Sequence, residues 1–154
     1  MMSLPSEVIS RLSGKTLVTA ESLTGGGIGT ALTSVSGASL VYKGGVISYV
    51  NEVKADVLGV PQEVLDRYGA VSPWTAGYMA SGVRKLLKAD IAVSVTGLAG
   101  PGGDEFGHPV GTVYIGYESA SQALVKEFHF QGTREEVREQ TIEAALNLIL
   151  EQNA

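Results

Sequence analysis

Along this chain apolar residues recur at two spacings, and where one gives way to the other the sequence divides into helices and strands. Leu4, Val8, Ile9 and Leu12 fall at helical intervals, with Pro5 tolerable in a first turn and Gly14 as a stop, so residues 3–13 read as a short amphipathic helix. The β-branched run 16–20 reads as a strand and 21–26 as a turn. Ile28, Ala31, Leu32 and Val35 then mark one helical face that Ser36-Gly37 closes. Leu40-Val41-Tyr42 and Gly45–Val50 predict a second, largely buried strand, and Asn51 opens a helical piece carrying Lys54 in its first turn or so. A short helix over 62–68 and a longer one over 74–88 follow, the latter capped by Ser72, with Trp74 as a packing anchor at its start.

Ile91-Ala92-Val93-Ser94-Val95 reads as a short strand of the kind found inside a sheet covered on both faces. The stretches 109–117 and 123–130 alternate across the polar turn 118–122 and predict a hairpin. Thr133-Arg134-Glu135-Glu136 is a capping box opening a last helix, whose buried face is Val137, Thr141, Ala144, Ala145 and Leu148. Strands that alternate with helices and then form a hairpin predict an α/β fold with a mixed sheet. A length of 154 residues with 44% hydrophobic content suits one core, and a single domain over 1–154 is expected.

Composition narrows the chemistry. The formal net charge of −5 comes from charges spread along the chain, which leaves no basic patch for a nucleic-acid backbone. There is no cysteine, so thiolate nucleophiles and Cys-ligated zinc are excluded; with two histidines, His108 and His129, an all-histidine metal site nearly is. Neither a membrane span nor a signal peptide is legible, and a cytoplasmic protein that touches neither membrane nor nucleic acid is expected.

Two glycine-rich stretches each follow a strand directly. In Ala20-Glu21-Ser22-Leu23-Thr24-Gly25-Gly26-Gly27-Ile28-Gly29 a hydroxyl and a carboxylate sit where the first N–H groups of a helix lack partners and can hold a phosphate or an oxyanion. An ordinary N-cap by Ser22 or Thr24 explains the same residues. The absence of a Gly-Lys-Ser/Thr run means that this is not a P-loop. Thr96-Gly97-Leu98-Ala99-Gly100-Pro101-Gly102-Gly103 is the second such loop, at a strand end where open α/β sheets place ligands. Lys54 near a helix start opposes the helix dipole, so its placement calls for an explanation other than local stability. Arg134 and Arg138 lie one turn apart at the start of the last helix.

Taken in order, these stretches together with Ser48-Tyr49-Val50-Asn51-Glu52-Val53-Lys54, Leu58-Gly59-Val60, Gly69-Ala70-Val71-Ser72 and Pro109-Val110-Gly111-Thr112-Val113 resemble the C-terminal domain of the competence/damage-inducible protein CinA. Stand-alone forms of that family are nicotinamide-nucleotide amidohydrolases. The resemblance covers nearly the whole chain and implies a three-layer α/β/α fold with a mixed, mostly parallel sheet. It also implies hydrolysis of the carboxamide of nicotinamide mononucleotide to nicotinate mononucleotide and ammonia, a step of NAD salvage.

Carried over, the nucleophile is Ser22 and the general base Lys54, with Tyr49 beside them. Ser39, Thr96 and one of Arg134 or Arg138 match positions linked to substrate binding. Glu21, Thr24, Gly25 and Gly26 of the turn and Gly97 and Gly100 of the loop complete the expected binding set, with no metal and no cofactor. Leu23 stands where cysteine is common in the family and Val50 where a small polar residue is; both flank a key residue without replacing it. A homo-oligomer is expected. Two other functions remain open on the residues alone: a nucleotide-binding module without catalysis, and a competence- or damage-related interaction domain.

Overall fold

The computed structural model describes residues 1–154. In chain order the elements are α1 (Leu4–Arg11), β1 (Leu17–Glu21), α2 (Gly27–Thr33), a 3-10 turn (Ala38–Leu40), β2 (Tyr42–Ile47), α3 (Asn51–Asp56), α4 (Gln62–Tyr68), α5 (Pro73–Leu87), β3 (Ile91–Gly97), β4 (Thr112–Ser119), β5 (Ala123–His129) and α6 (Arg134–Gln152). The five strands form one sheet in the order β2-β1-β3-β4-β5. β1 is parallel to both β2 and β3, while β3-β4 and β4-β5 are antiparallel, so the expected mixed sheet is present.

Period-two alternation in the central strands sends neighbouring side chains to opposite layers. From β1, Leu17 joins a core with α1, α2 and α6 (Val8, Leu12, Ile28, Leu32, Leu146, Ile149), whereas Val18 and Ala20 join one with α4 and α5 (Leu65, Met79, Val83). In β3, Ile91, Val93 and Val95 face the first core, Ala92 faces the second, and Ser94 on that second face donates to Ala76 O of α5 at 2.6 Å. Burying each such aliphatic side chain contributes about 1.5–3 kcal/mol. Two filled faces make the three-layer α/β/α arrangement.

Three expectations change. The second strand is not largely buried: β2 is the sheet edge, its residues alternate between half-buried and exposed, and Ile47 is 57% exposed. It also runs unbroken from Tyr42 through the glycine pair and stops before Ser48. Trp74 is not a core anchor but stacks on Tyr68 at the surface, with ring centroids 4.1 Å apart. And α2 ends at Thr33, short of Val35. The capping box, by contrast, is present in full, with Thr133 Oγ1 accepting from Glu136 N–H and Glu136 Oε1 accepting from Thr133 N–H.

Candidate active site

The carboxyl ends of the three parallel strands converge on one place. β1 ends at Glu21 and hands the chain to Ser22; β2, on one side, ends before Ser48 and Tyr49; β3, on the other, ends at Gly97. From β1 the chain goes to one neighbour and later returns to the other, and ligands of open α/β sheets bind at such a reversal. Two hydrogen bonds carry the ladder past the strand ends: Ser22 N–H to Val95 O at 3.1 Å and Ser48 N–H to Glu21 O at 2.8 Å. Ser22 is thereby fixed between the two flanking strands. Above it lies a cleft of about 440 Å³ lined by Ser22, Tyr49, Lys54, Thr96, Gly97, Gly100 and Arg134, among others.

Lys54 is the most unusual residue of the site. It is 1% exposed, and its ammonium nitrogen reaches Ser22 Oγ at 3.0 Å, Ser48 O at 2.7 Å and Tyr49 O at 3.3 Å. Burial holds its pKa down to about 8. Lys54 is the fourth of six residues in α3 and lies in its last turn, so removal from water, not the helix dipole, discourages the charge. With two N–H bonds given to the carbonyls of Ser48 and Tyr49, a neutral Lys54 keeps its lone pair for the hydroxyl of Ser22.

The turn after Ser22 is built differently from an ordinary cap. Gly25 and Gly26 take φ values of 58° and 100°, which L side chains resist, and neither Ser22 nor Thr24 caps α2. The cap is Glu21. Its Oε1 accepts from Ile28 N–H at 2.8 Å and Thr24 Oγ1 at 2.7 Å, and its Oε2 accepts from Gly29 N–H at 3.0 Å and Thr19 Oγ1 at 3.2 Å. Glu21, expected among the binding residues, is thus not among the cleft's lining residues; its carboxylate occupies the helix start. Thr24 likewise spends its hydroxyl on Glu21. Among the turn's donors, Gly25 N–H is used by Ser22 O, whereas no backbone carbonyl accepts from Leu23 or Thr24 N–H.

The two arginines separate. Arg134 lines the cleft, donating to Tyr49 OH and to Gly100 O at 2.9 Å each, so it bridges the walls on either side of Ser22. Arg138 lies behind the turn, donating to Leu23 O at 3.0 Å and Thr24 O at 3.3 Å. Thr96 is buried at the cleft floor with its hydroxyl on Ala70 O at 2.7 Å. Ser39 is not brought to the cleft: it is exposed on the 3-10 turn, beside a separate hollow with Thr33, Gly37 and Tyr42. Asn51, Ala70, Val71 and the segment Asp104-Glu105-Phe106 line the cleft without having been singled out as site residues; the first three fall within stretches that carry the family resemblance, whereas Asp104-Glu105-Phe106 lies in a loop with no motif of its own. No group of three or more His, Asp or Glu side chains is placed to hold a metal ion.

A family model described as the CinA C-terminal domain matches residues 2–153. The chain belongs to the CinA C-terminal domain family. A CinA-like protein of Endomicrobium trichonymphae is 47% identical over 135 residues, which is 88% of this chain and 32% of the relative. The chain spans about a third of the length of the curated relatives it matches. Among solved structures, a competence-damaged protein (CinA) superfamily protein of Klebsiella pneumoniae superposes with a TM-score of 0.95 at 35% identity, covering 97% of this chain and 95% of that one. The competence/damage inducible protein CihA of Agrobacterium tumefaciens gives 0.94 at 39% identity, covering 98% and 94%. The α/β fold is thus that of CinA superfamily structures. No helix is long and apolar enough to cross a membrane.

Proposed function

We propose that this chain is a nicotinamide-nucleotide amidohydrolase in which Ser22 is the nucleophile and Lys54 its base. The observation that carries the reading is the buried lysine, with its pKa near 8, 3.0 Å from a serine hydroxyl at the floor of a cleft. A lysine serving structure alone would have been cheaper as an apolar residue, because burying an ammonium costs several kcal/mol. In the neutral form Lys54 takes the Ser22 proton as Oγ attacks the carboxamide carbon. The N–H groups of Leu23 and Thr24, next to the nucleophile, receive the developing oxyanion; one well-aimed donor contributes about 3–4 kcal/mol. Lys54 then gives its proton to the departing nitrogen, which leaves as ammonia. A water, deprotonated by Lys54, cleaves the ester on Ser22 and releases the carboxylate.

The substrate is taken from the family resemblance, and the charges of the cleft support it. Arg134 at the cleft rim, at the start of α6, suits a phosphate; Tyr49 positions that guanidinium. With Glu21 occupying the start of α2, the phosphate is assigned to Arg134 and not to the first glycine turn. The test is a coupled ammonia assay over a panel of pyridine nucleotides, with release from nicotinamide mononucleotide as the expected result. A nucleotide that raises the melting temperature without releasing ammonia would instead make the chain a binding module.

A further inference from the structure

The cleft is lined by Arg134 and Tyr49, and also by Asp104, Glu105 and Phe106, which the chemistry above does not use. Phe106 is held in place. Its ring lies against the backbone of Gly69, where an added Cβ would come within 2.6 Å of Cε2 and 2.7 Å of Cδ2. Asp104 fixes its peptide: Oδ1 accepts from Phe106 N–H at 3.2 Å and from His108 N–H at 3.0 Å, and Oδ2 pairs with His108 Nδ1 at 2.7 Å. Yet Phe106 remains 40% exposed, so a ring pinned by its neighbours leaves apolar surface open in the cleft wall. A half-open aromatic ring beside a carboxylate is what a flat cation would meet favourably.

We infer that Phe106, with Glu105 beside it in the cleft wall, reads the positive charge of the substrate's ring. The inference rests on the amidohydrolase reading. In a nicotinamide nucleotide the ribose quaternises the ring nitrogen, so the ring that carries the carboxamide is a flat cation. Over a phenyl face such a ring gains a cation–π attraction that a neutral ring of the same outline lacks. The anionic phosphate and the cationic ring then have opposite preferences, met by different lining residues: Arg134 for the one, Phe106 and Glu105 for the other. The cleft selects quaternised pyridinium carboxamides over neutral ones, including the 1,4-dihydro form of the same nucleotide.

The test is calorimetric binding of nicotinamide mononucleotide and of its 1,4-dihydro form. The proteins are the Ser22→Ala chain, in which no turnover is expected, and the same chain with Phe106→Leu, Phe106→Tyr or Glu105→Gln added. Phe106→Leu should weaken the oxidised nucleotide about tenfold and the reduced one less than about threefold, while Phe106→Tyr keeps both affinities. Glu105→Gln should weaken only the oxidised form. Equal loss for both forms, or no loss for either, would overturn the inference, and unchanged melting temperatures show that the variants are folded. Ammonia release by the parent is measured separately. Charge-selective binding without release would sink the amidohydrolase reading and leave this inference standing. Release with an unchanged oxidised-to-reduced affinity ratio in Phe106→Leu would do the reverse, and no nucleotide binding at all would sink both.

Discussion

Lys54 Nζ lies 3.0 Å from Ser22 Oγ although 32 positions separate the two residues in the chain. The contact is set by the parallel pairing of β1 with β2: Ser22 follows the end of one strand, and α3 starts four residues after the other ends. Lys54 lies one helical turn into α3, and its side chain turns back toward the strand ends. The two side chains thus form one hydrogen-bonded unit, which the proposed reaction uses as nucleophile and base.

Ser22→Ala and Lys54→Ala should each lower kcat at least about 10³-fold, and the double variant should be no slower than either alone, since members of one nucleophile–base unit do not contribute additively. Single-turnover ammonia release checks this. Losses that multiply in the double variant would show two independent roles.

The buried amine also fixes a pH dependence. Because burial brings the Lys54 pKa down to about 8, kcat/KM should rise with pH as one ionisation centred near that value, following the neutral amine. Stability follows the same group with a definite sign. The folded-state pKa is depressed below the usual lysine value of 10.5, so the favourable contribution of neutral Lys54 is present above pH 10.5 and is lost as pH falls to about 8. Relative to Lys54→Met, the parent should therefore gain about 3 kcal/mol between pH 8 and 10.5. Denaturant melts at a series of pH values measure it, and a constant difference would mean that the amine is not desolvated.

Glu21→Gln should destabilise the chain by about 2–3 kcal/mol, because an amide nitrogen cannot accept and at least one buried donor at the start of α2 loses its partner. A fall in melting temperature of ~5–10 °C is expected for a chain of this size. A melting temperature within about 1 °C of the parent would show that Glu21 is not the cap of α2.

Arg134→Ala should lower kcat/KM for the nucleotide about 10- to 100-fold and leave the riboside nearly unchanged, the loss expected when a charge-assisted bond to phosphate is removed. Arg138→Ala, which removes the brace on Leu23 and Thr24 carbonyls, should lower kcat for both substrates by similar factors. Steady-state kinetics on the two substrates separates them; a phosphate-dependent loss in Arg138→Ala alone would reverse the assignment.

Much of this was legible in the sequence because the relevant signals are local. The capping box at Thr133, the hairpin after Thr112 and the mostly apolar run of β3 each follow from neighbouring residues, and so does Ser22 on a strand-to-helix turn. What stayed hidden depends on partners far along the chain. That β2 is an edge cannot be read from Gly45-Val46-Ile47, whose pattern also suits a covered strand. Glu21 looked like a cleft residue because its role as a cap comes from α2 folding back over it. Arg134 and Arg138 differ only in which side of the turn each reaches, which is fixed by the packing of α6 and not by their spacing. Phe106 carried no motif, and its place in the cleft depends on Gly69, on a separate segment of the chain.

The most direct measurement is ammonia release when the purified chain is given nicotinamide mononucleotide, with the Ser22→Ala chain beside it. Stoichiometric ammonia and nicotinate mononucleotide should appear with the parent and not with the variant, at a rate that rises from pH 7 to pH 9. Release that persists unchanged in Ser22→Ala, or no release from the parent at any pH in that range, would contradict the Ser22–Lys54 mechanism.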